Sequence, residues 1–402
     1  MSNYQVNKTY QEINDKIKRG QAVVVTAEEI IDLVRTKGEV AAARTVDVVT
    51  TGTFSPMCSS GAILNFGHTK PPMKAAKVWL NNVRTYAGLA AVDIYIGATE
   101  PTVDDPLNQV YPGEFKYGGG HVIQDLVAGK AVHLEAEAYG TDCYPNKRLD
   151  REITLKQMVN AILCNPRNCY QNYNVAVNLS KRTIYTYMGP LRPKAGNANF
   201  CTSGALSPLF NDPYYRTIGI GTRIFLGGGV GYVVFPGTQH NPGKPRSEHG
   251  IPLGPAGTLF LMGDLKKMTA RYLVGVSLIG YGCSLSVGVG IPIPMLNEEI
   301  AHFCGVSDEE LLAPIVDYGS DYPAGTGRVL GQVSYAQLKR GTLTLEGQEV
   351  PNVPLSSMVR AREIAHLLKE WILVGQFLLG EPVELLPGSE QVHCVRTGSR
   401  DS

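Results

Sequence analysis

Apolar and polar residues alternate along several segments of this chain, and the period of two predicts β-strands. The alternation is regular over residues 132–139 and again over residues 173–179, as in strands that bury one face. Residues 45–50 are mostly β-branched and residues 92–96 mostly apolar, so two further short strands are predicted there. Residues 218–236, which are rich in glycine and valine, are also predicted to form β-structure.

Helical spacing of apolar residues is confined to fewer places. Thr26 and Glu29 form a capping box in front of an amphipathic segment that Gly38 ends, which predicts one short helix. Three further segments are predicted to be helical: residues 74–89, 154–163 and 356–374.

Residues 272–297 contain no charged side chain and are long enough to cross a membrane. The segment also contains several glycines, together with Pro292 and Pro294, which a single spanning helix would tolerate poorly. Two short buried strands around a turn fit this composition better. No membrane segment is therefore expected.

Strands and helices together predict an α/β or α+β fold. The 44 glycines and 25 prolines indicate an interior rich in loops. No stretch with the composition of a linker divides the chain, so residues 1–387 are predicted to form one large catalytic domain, with a mixed β-sheet and flanking helices. Residues 388–402 are polar and predicted to be a disordered tail.

Charge and cysteine usage narrow the class of protein. The net charge is +1 and no basic block is present, which argues against a nucleic-acid partner. The eight cysteines are irregularly spaced and the first residues lack a basic-then-apolar leader. Reduced thiols and a cytoplasmic location are therefore expected.

Two cysteines lie in loops of small residues, where a thiol is expected to face a cleft. Cys58 follows the predicted strand at 45–50 and Cys143 follows the one at 132–139. A structural cysteine more often lies inside an apolar run, although two unrelated cysteines in turns would give the same pattern. Two such thiols suggest sulfur or redox chemistry, in which one attacks and the other resolves.

Other polar residues near these loops are candidates for the same site. Ser59, Ser60 and the surrounding backbone N–H groups are placed to stabilise a Cys58 thiolate, and His68 to carry a proton. Arg223 lies in an apolar, glycine-rich setting and needs an anionic partner, which is either an internal carboxylate or a substrate. His240 follows a predicted strand and is a candidate to line the pocket.

Cofactor and metal signals are weak. The glycines of residues 219–231 lack the strict dinucleotide-binding spacing and no helix is predicted after them. Cys164 and Cys169 have the spacing of a zinc pair, but no second pair accompanies them, so no metal site is expected. Cys201, Cys283, Cys304 and Cys394 are interpreted as packing or incidental residues. Cys201-Thr-Ser-Gly-Ala205 nevertheless repeats the pattern of Cys58-Ser-Ser-Gly-Ala62.

The loop motifs resemble those of a known family, the homocysteine biosynthesis enzymes of methanogenic archaea and anaerobic bacteria, which are L-aspartate semialdehyde sulfurtransferases. The likeness extends over most of residues 20–385. Its matching segments are residues 48–62, 65–72, 139–145, 165–173, 222–229 and 237–240.

The resemblance implies which residues carry the chemistry. The two functional cysteines of the family correspond to Cys58 and Cys143. Cys58 is expected to be the nucleophile, because its loop offers more backbone donors, and the other thiol to resolve the intermediate. Arg223 is the leading candidate to bind the substrate carboxylate.

The resemblance also implies the reaction and its partners. Sulfur would enter L-aspartate 4-semialdehyde with a two-electron reduction, through persulfide or disulfide chemistry, to give L-homocysteine. Sulfide or a persulfide would donate the sulfur and a separate ferredoxin-like protein the electrons, with no tightly bound cofactor. Many family members continue into CBS or ferredoxin-like domains, and neither is expected after Pro387. A homo-oligomer is compatible with these expectations. The alternatives are a thiol-dependent oxidoreductase and a persulfide carrier or redox sensor.

Overall fold

The computed structural model describes residues 4–320 and 327–388 of the chain. The predicted disordered tail, apart from Gly388, lies outside the described residues, as does Cys394. Eight α-helices lie in the described part: α1 (Tyr10–Lys18), α2 (Glu29–Lys37), α3 (Glu39–Thr45), α4 (Gly119–Val127), α5 (Pro208–Asn211), α6 (Glu298–Cys304), α7 (Tyr335–Lys339) and α8 (Met358–Leu373).

Short strands make up most of the remaining regular structure. Those of the first half are β1 (Val24–Thr26), β2 (Val48–Thr50), β3 (Thr53–Pro56), β4 (Gly61–Asn65), β5 (Ala75–Leu80), β6 (Val83–Thr85), β7 (Asp93–Gly97), β8 (Val132–Ala138), β9 (Arg148–Ile153), β10 (Asn160–Asn168), β11 (Val175–Val177), β12 (Ile184–Thr186), β13 (Gly189–Leu191) and β14 (Ala198–Phe200). Those of the second half are β15 (Gly219–Ile220), β16 (Arg223–Leu226), β17 (Gly229–Pro236), β18 (Leu259–Asp264), β19 (Leu273–Leu278), β20 (Gly282–Gly290), β21 (Pro292–Pro294), β22 (Leu312–Asp317), β23 (Arg328–Ser334), β24 (Thr342–Leu345), β25 (Gln348–Pro354) and β26 (Glu384–Leu385).

The largest sheet has nine strands in the order β19-β20-β16-β17-β18-β10-β4-β7, and β3 also pairs with β20. All of its pairings are antiparallel. The two strands that flank Cys58 belong to different parts of this sheet, since β3 lies on β20 whereas β4 lies between β10 and β7. The Cys58 loop therefore crosses from one part of the sheet to another.

Two smaller sheets carry the other loops of interest. The six-stranded sheet β23-β22-β11-β14-β25-β24 mixes parallel and antiparallel pairs, and its strand β14 leads into Cys201. The four-stranded sheet β6-β5-β8-β9 is antiparallel, and Cys143 lies in the loop between β8 and β9. Mixed sheets with flanking helices confirm the α+β form of the predicted fold class.

Helix α8 covers one face of the nine-stranded sheet. Ile364, Leu368 and Ile372 are spaced four residues apart on this helix and are fully buried in one cluster with Phe225 of β16. This spacing places them on a single apolar stripe, which packing against the sheet removes from water. The helix predicted over residues 356–374 is confirmed.

The start of α2 also agrees with the sequence. The Thr26 hydroxyl accepts a hydrogen bond from the Glu29 N–H at 3.2 Å, and the Glu29 carboxylate accepts one from the Thr26 N–H at 2.7 Å. This is the reciprocal arrangement of a capping box. Gly38, with φ of 80°, ends the helix as predicted.

Two predicted helices are wrong. Residues 74–89 form a hairpin of β5 and β6, because Asn81 and Asn82 adopt φ of 47° and 61° and close a tight turn. Residues 154–157 do form the predicted capping turn, in which the Thr154 N–H donates to the Gln157 side chain at 2.8 Å. The chain then continues as β10 rather than as a helix, because pairing with β4 and β18 outweighs the local turn signal.

The uncharged segment 272–297 forms β19, a turn, β20 and β21. Gly280 in the turn has φ of 69°, a conformation that favours glycine. The prediction of buried strands around a turn is confirmed. Among the described residues, none of the helices combines the length and apolar character that crossing a membrane requires.

Candidate active site

Cys58 lies at the corner of a tight turn. Cys58 and Ser59 occupy its two central positions, and the Ser60 N–H closes it by donating to the carbonyl of Met57 at 3.0 Å. The Met57 N–H donates to the carbonyl of Leu285 at 2.8 Å, which fixes the turn against β20. The N–H groups of Cys58 and Ser59 donate to no other group in the described part of the chain. Two backbone donors next to the thiol therefore have no partner among the described residues.

The two predicted serines have different surroundings. Ser59 lines the cavity in front of Cys58, and its hydroxyl donates to the carbonyl of Arg167 at 3.3 Å. Ser60 is buried, and its hydroxyl accepts a hydrogen bond from the Asn165 side chain at 3.1 Å. Ser60 thus anchors the turn, while Ser59 is the serine within reach of a ligand.

The half-buried thiol of Cys58 opens into a cavity of about 390 Å³. This volume lies within the range of roughly 300–1,000 Å³ that is typical of small-molecule sites. Cys169 and Cys201 line the same cavity. From the sequence alone, Cys201 is interpreted as a packing or incidental residue and Cys169 only as a weak zinc candidate. The repeat of the Cys-Ser/Thr-Ser-Gly-Ala pattern is the signal that could have indicated Cys201.

Arg167 is the one charged residue on the cavity wall within the described part of the chain. It lies in β10 where the register of the pairing with β18 shifts, and such irregularities redirect side chains. Its guanidinium forms no ion pair with any described residue. The cavity therefore presents an uncompensated positive charge, which favours an anionic group on the ligand.

Aromatic rings form another wall. The ring centroids of Tyr170 and Tyr173 lie 5.2 Å apart, those of Tyr173 and Tyr187 6.0 Å, and those of Tyr187 and Tyr281 6.1 Å. Burial raises the pKa of the Tyr170, Tyr173 and Tyr187 phenols above their ordinary value. These phenols are neutral at working pH, so they offer ring faces and hydrogen bonds rather than a base.

Cys143 and His68 lie together but away from this cavity. Cys143 is exposed in the loop after β8, and the ring of its neighbour Tyr144 stacks on His68 with centroids 6.1 Å apart. Cys58 precedes β4 and His68 follows it, so the strand separates them by roughly 13 Å at about 3.3 Å per residue. Neither Cys143 nor His68 is among the residues that line the cavity of Cys58.

Arg223 and His240 lie outside the cavity wall. The Arg223 guanidinium carbon lies 4.6 Å from the centre of the Phe377 ring, and Nη1 donates to the carbonyl of Leu378 at 3.5 Å. His240 Nδ1 accepts from the Thr258 N–H at 3.1 Å, and Nε2 lies 3.0 Å from the carbonyl oxygen of Pro387. Both side chains have protein partners here, and the neighbour of His240, Gln239, lines the cavity instead.

Comparison with known proteins identifies a family. Residues 22–379 match the model of the family described as "Homocysteine biosynthesis enzyme, sulfur-incorporation". The chain belongs to this family. It is therefore an enzyme of the sulfurtransferase class, and the resemblance drawn from its loop motifs is confirmed.

Two similar relatives, from Methanocaldococcus jannaschii and Methanosarcina acetivorans, are each named L-aspartate semialdehyde sulfurtransferase. They are 48% and 50% identical over 398 and 384 residues, which cover 96% and 95% of this chain and 74% and 72% of the relatives. An uncharacterized protein of Methanothermobacter thermautotrophicus is 28% identical over 84% of this chain and 73% of its own length. No solved structure matches.

The structure also explains why the glycine-rich residues 219–231 are only a weak signal for a dinucleotide site. Residues 223–236 form the hairpin of β16 and β17, and Gly227 and Gly228 make its turn with φ of 61° and 99°. A dinucleotide site needs a helix N-terminus after the first strand, which this hairpin lacks. Glycine here permits a sharp turn.

Three side chains that could act as metal ligands lie close together away from the cavity. His133, Glu135 and Asp150, on the outer face of β8 and β9, place ligand atoms within 4.8 Å of one another. His133 Nε2 lies 2.9 Å from Asp150 Oδ1, and this hydrogen bond raises the pKa of the imidazole. Pairing between the imidazole and the carboxylate accounts for the grouping.

Ser284, which sequence reasoning missed, directly contacts the sulfur of Cys58. It lies fully buried on β20, and its hydroxyl donates to Cys58 Sγ at 3.4 Å. This hydrogen bond helps to fix the position of the sulfur, and fixed placement of a reacting atom favours attack. No local signal distinguishes Ser284 from Ser277 and Ser286, which lie in the same uncharged segment.

Replacement of Ser284 by alanine is expected to lower the rate at which iodoacetamide alkylates Cys58 at pH 7 by about tenfold. Mass spectrometry of the Cys58 peptide over a time course measures this rate. Ser286→Ala on the same strand is the control, since the Ser286 hydroxyl makes no hydrogen bond to Cys58 among the described residues. Equal curves for Ser284→Ala and the control would contradict this role.

Proposed function

We propose that this enzyme converts L-aspartate 4-semialdehyde to L-homocysteine in the cavity that holds Cys58. The observation that carries the proposal is a nucleophilic thiol beside one unpaired arginine and a tyrosine wall, in a chain about half identical to two named L-aspartate semialdehyde sulfurtransferases. The substrate is a small amino acid with an aldehyde at one end. Its carboxylate, ammonium and aldehyde groups can each be paired with a residue of the cavity.

Arg167, rather than Arg223, binds the substrate carboxylate in this proposal. The guanidinium fork pairs with a carboxylate through two parallel hydrogen bonds, and Arg167 has no protein carboxylate to satisfy it. Arg223 already stacks on Phe377 outside the cavity. With the carboxylate held at Arg167, the aldehyde extends toward Cys58.

The substrate ammonium group binds against the tyrosine wall. No aspartate or glutamate lines the cavity within the described residues, so the ammonium group has no carboxylate of the cavity wall to pair with. The face of a tyrosine ring attracts a cation through its quadrupole, an interaction of about 0.5–2 kcal/mol. Tyr170, which is half-buried at the cavity wall, is the ring we assign to this contact.

Replacement of Tyr170 by leucine is expected to raise KM for aspartate semialdehyde about 2- to 30-fold, which corresponds to the cation–π range. Tyr170→Phe keeps the ring and should remain near wild type, so it is the matched control. Succinate semialdehyde lacks the amino group and should bind equally to both variants. Equal KM values for the leucine and phenylalanine variants would show that the ring face is not the binding element.

The reaction must balance sulfur, electrons and protons. Exchange of the aldehyde oxygen for sulfur, with reduction to a thiol, takes up one hydrogen sulfide, two electrons and two protons and releases one water. Two protein thiols supply those electrons when they close to a disulfide. Cys58 is the first of them; the role of Cys143 as the second, inferred from the family resemblance, stays a prediction. An external ferredoxin-like donor, a persulfide as sulfur source, a cytoplasmic location and a homo-oligomer stay predictions as well.

The test is homocysteine formation from aspartate semialdehyde and sulfide under anaerobic conditions with dithiothreitol. Reactions without protein and with Cys58→Ser correct for the spontaneous reaction of sulfide with aldehydes. Product that depends on wild-type protein supports the proposal. Sulfane sulfur on a cysteine without any homocysteine would favour the carrier or sensor alternative, and bound nicotinamide or flavin absorbance would favour the oxidoreductase.

A further inference from the structure

We propose that Gln239 selects substrates that carry an amino group, by accepting a hydrogen bond at the mouth of the cavity that holds Cys58. The inference rests on the proposed function, because it names the class of aldehyde that this cavity accepts. Gln239 lines the cavity and is exposed. Its side chain therefore lies at the entrance, where it can contact an arriving substrate.

Gln239 has a backbone conformation that favours glycine. Its φ is 70°, and the His240 N–H donates to the carbonyl of Gly237 at 2.9 Å, which closes a turn with Thr238 and Gln239 at its centre. A positive φ at the third residue alone is the mark of a type II turn, in which that position is usually glycine. A glutamine there costs free energy that glycine would not, and such strain is concentrated at functional sites. The chain thus keeps a polar side chain at a position where the turn itself favours none.

The turn is fixed on two sides. The Thr238 N–H donates to the carbonyl of Pro166 at 2.8 Å, which ties the turn to the residue before Arg167. The Thr258 hydroxyl donates to the carbonyl of Thr238 at 3.1 Å from the other side. The backbone of Gln239 is therefore held next to the arginine that we assign to the substrate carboxylate.

Of the two carboxamides that line the cavity in the described part of the chain, Gln239 is the one available to a ligand. The other is fully used by the protein: Gln171 Oε1 accepts from the Tyr215 hydroxyl at 2.7 Å and from the Gly257 N–H at 3.2 Å, and its Nε2 donates to two main-chain carbonyls at 2.7 and 3.2 Å. Among the described residues, the Gln239 side chain has one long hydrogen bond, in which Oε1 accepts from the Tyr170 hydroxyl at 3.5 Å. A second lone pair of Oε1 is therefore available to a substrate.

This lone pair lies beside the ring that we assign to the substrate ammonium group. An ammonium group has three N–H donors, and the face of the Tyr170 ring attracts its charge without offering a lone pair to accept them. With the carboxylate held by Arg167, Gln239 Oε1 accepts one of these hydrogen bonds. A site built to hydrogen-bond an N–H group binds an analogue that lacks this group more weakly. Gln239 is therefore a specificity-determining residue for an aldehyde that carries an amino group.

The decisive experiment is a calorimetric titration with L-homoserine, which has the ammonium and carboxylate groups of the substrate but an alcohol in place of the aldehyde. Gln239→Met keeps the length of the side chain and the strain of the backbone but loses the carboxamide. It should raise the Kd for homoserine about tenfold. The Kd for 4-hydroxybutyrate, which lacks the ammonium group, should not change. Thr238→Val, on the same turn but outside the cavity wall, is the matched control and should bind both ligands like wild type.

Three results of these titrations would overturn the proposal. The first is an equal Kd of wild type and Gln239→Met for homoserine. The second is an equal loss of affinity for homoserine and 4-hydroxybutyrate, since the lost contact would then not involve the ammonium group. The third is the failure of wild type to bind homoserine.

Gln239→Gly separates a binding role from a structural one. Glycine relieves the strain of the positive φ, so the melting temperature should equal or exceed that of wild type. KM for aspartate semialdehyde should nevertheless rise about tenfold, as in the methionine variant. A lower melting temperature with an unchanged KM would show that Gln239 serves only the turn. If wild type makes no homocysteine, the proposed function fails, and the homoserine titrations still decide whether Gln239 binds an amino group.

Discussion

Replacement of Cys58 by serine is expected to lower the rate of homocysteine formation by roughly a thousandfold or more, which corresponds to about 4 kcal/mol of transition-state stabilisation. Serine has nearly the shape of cysteine, so the turn from Met57 to Ser60 should be preserved. A hydroxyl, however, is scarcely ionised at neutral pH, and oxygen cannot form the sulfur–sulfur bond that carries the electrons. The initial rate, measured by chromatography of derivatised homocysteine, checks this expectation.

Cys164→Ser is the matched control for Cys58. Cys164 is also half-buried, but it lies on β10 outside the cavity wall, so its variant should keep most of the wild-type rate. Alkylation of the remaining thiols under native conditions would show that the fold is unchanged in both variants. Retention of more than a tenth of the rate in Cys58→Ser would exclude this thiol as the nucleophile.

Replacement of Arg167 by methionine is expected to raise KM for aspartate semialdehyde about 10- to 150-fold, with a smaller change in kcat. The charge-assisted pair between guanidinium and carboxylate is worth about 1.5–3 kcal/mol, and the carboxylate lies away from the reacting carbon. Loss of this pair weakens the ground state and the transition state alike, which is the pattern of lost uniform binding. Steady-state kinetics over a wide range of substrate concentration separate KM from kcat.

Arg223→Met distinguishes the anchor inferred from the structure from the one predicted by the sequence. Its guanidinium packs on Phe377 outside the cavity, so its loss should leave KM near the wild-type value and lower the melting temperature instead. An increase in KM for Arg223→Met without one for Arg167→Met would reverse the assignment. Arg167→Lys should be intermediate, because lysine keeps the charge and loses the bidentate geometry.

Local sequence predicted the elements whose own residues decide their conformation. The capping box at Thr26 and Glu29, the apolar stripe of α8 and the alternation of β8 are all found in the structure. The two wrong helices show where local sequence is not sufficient to predict secondary structure. At Asn81 and Asn82 a two-residue turn was overlooked, and after Gln157 the chain had partners in β4 and β18 that the local pattern does not reveal.

The candidate site likewise has features that local sequence indicates and features that only the fold brings together. The small-residue loop around Cys58 was sufficient to make it a candidate nucleophile, and the motifs spread along the chain were sufficient to identify the family. The surroundings of Cys58 were not accessible in this way. Ser284, which donates to its sulfur, lies 226 residues further along the chain, and Arg167 and Cys201 reach the cavity from two different sheets.

The sequence by itself therefore determined that this protein is a homocysteine biosynthesis enzyme with a candidate nucleophile at Cys58. Only the tertiary structure decided which groups surround that thiol: it brought Ser284, Arg167 and Cys201 to the cavity and left Cys143, Arg223 and His240 outside it. The physical reason is that a motif depends on neighbouring residues, which the sequence displays directly. The composition of a cavity depends on strand order and register, which are set by pairing and burial between segments far apart in the chain.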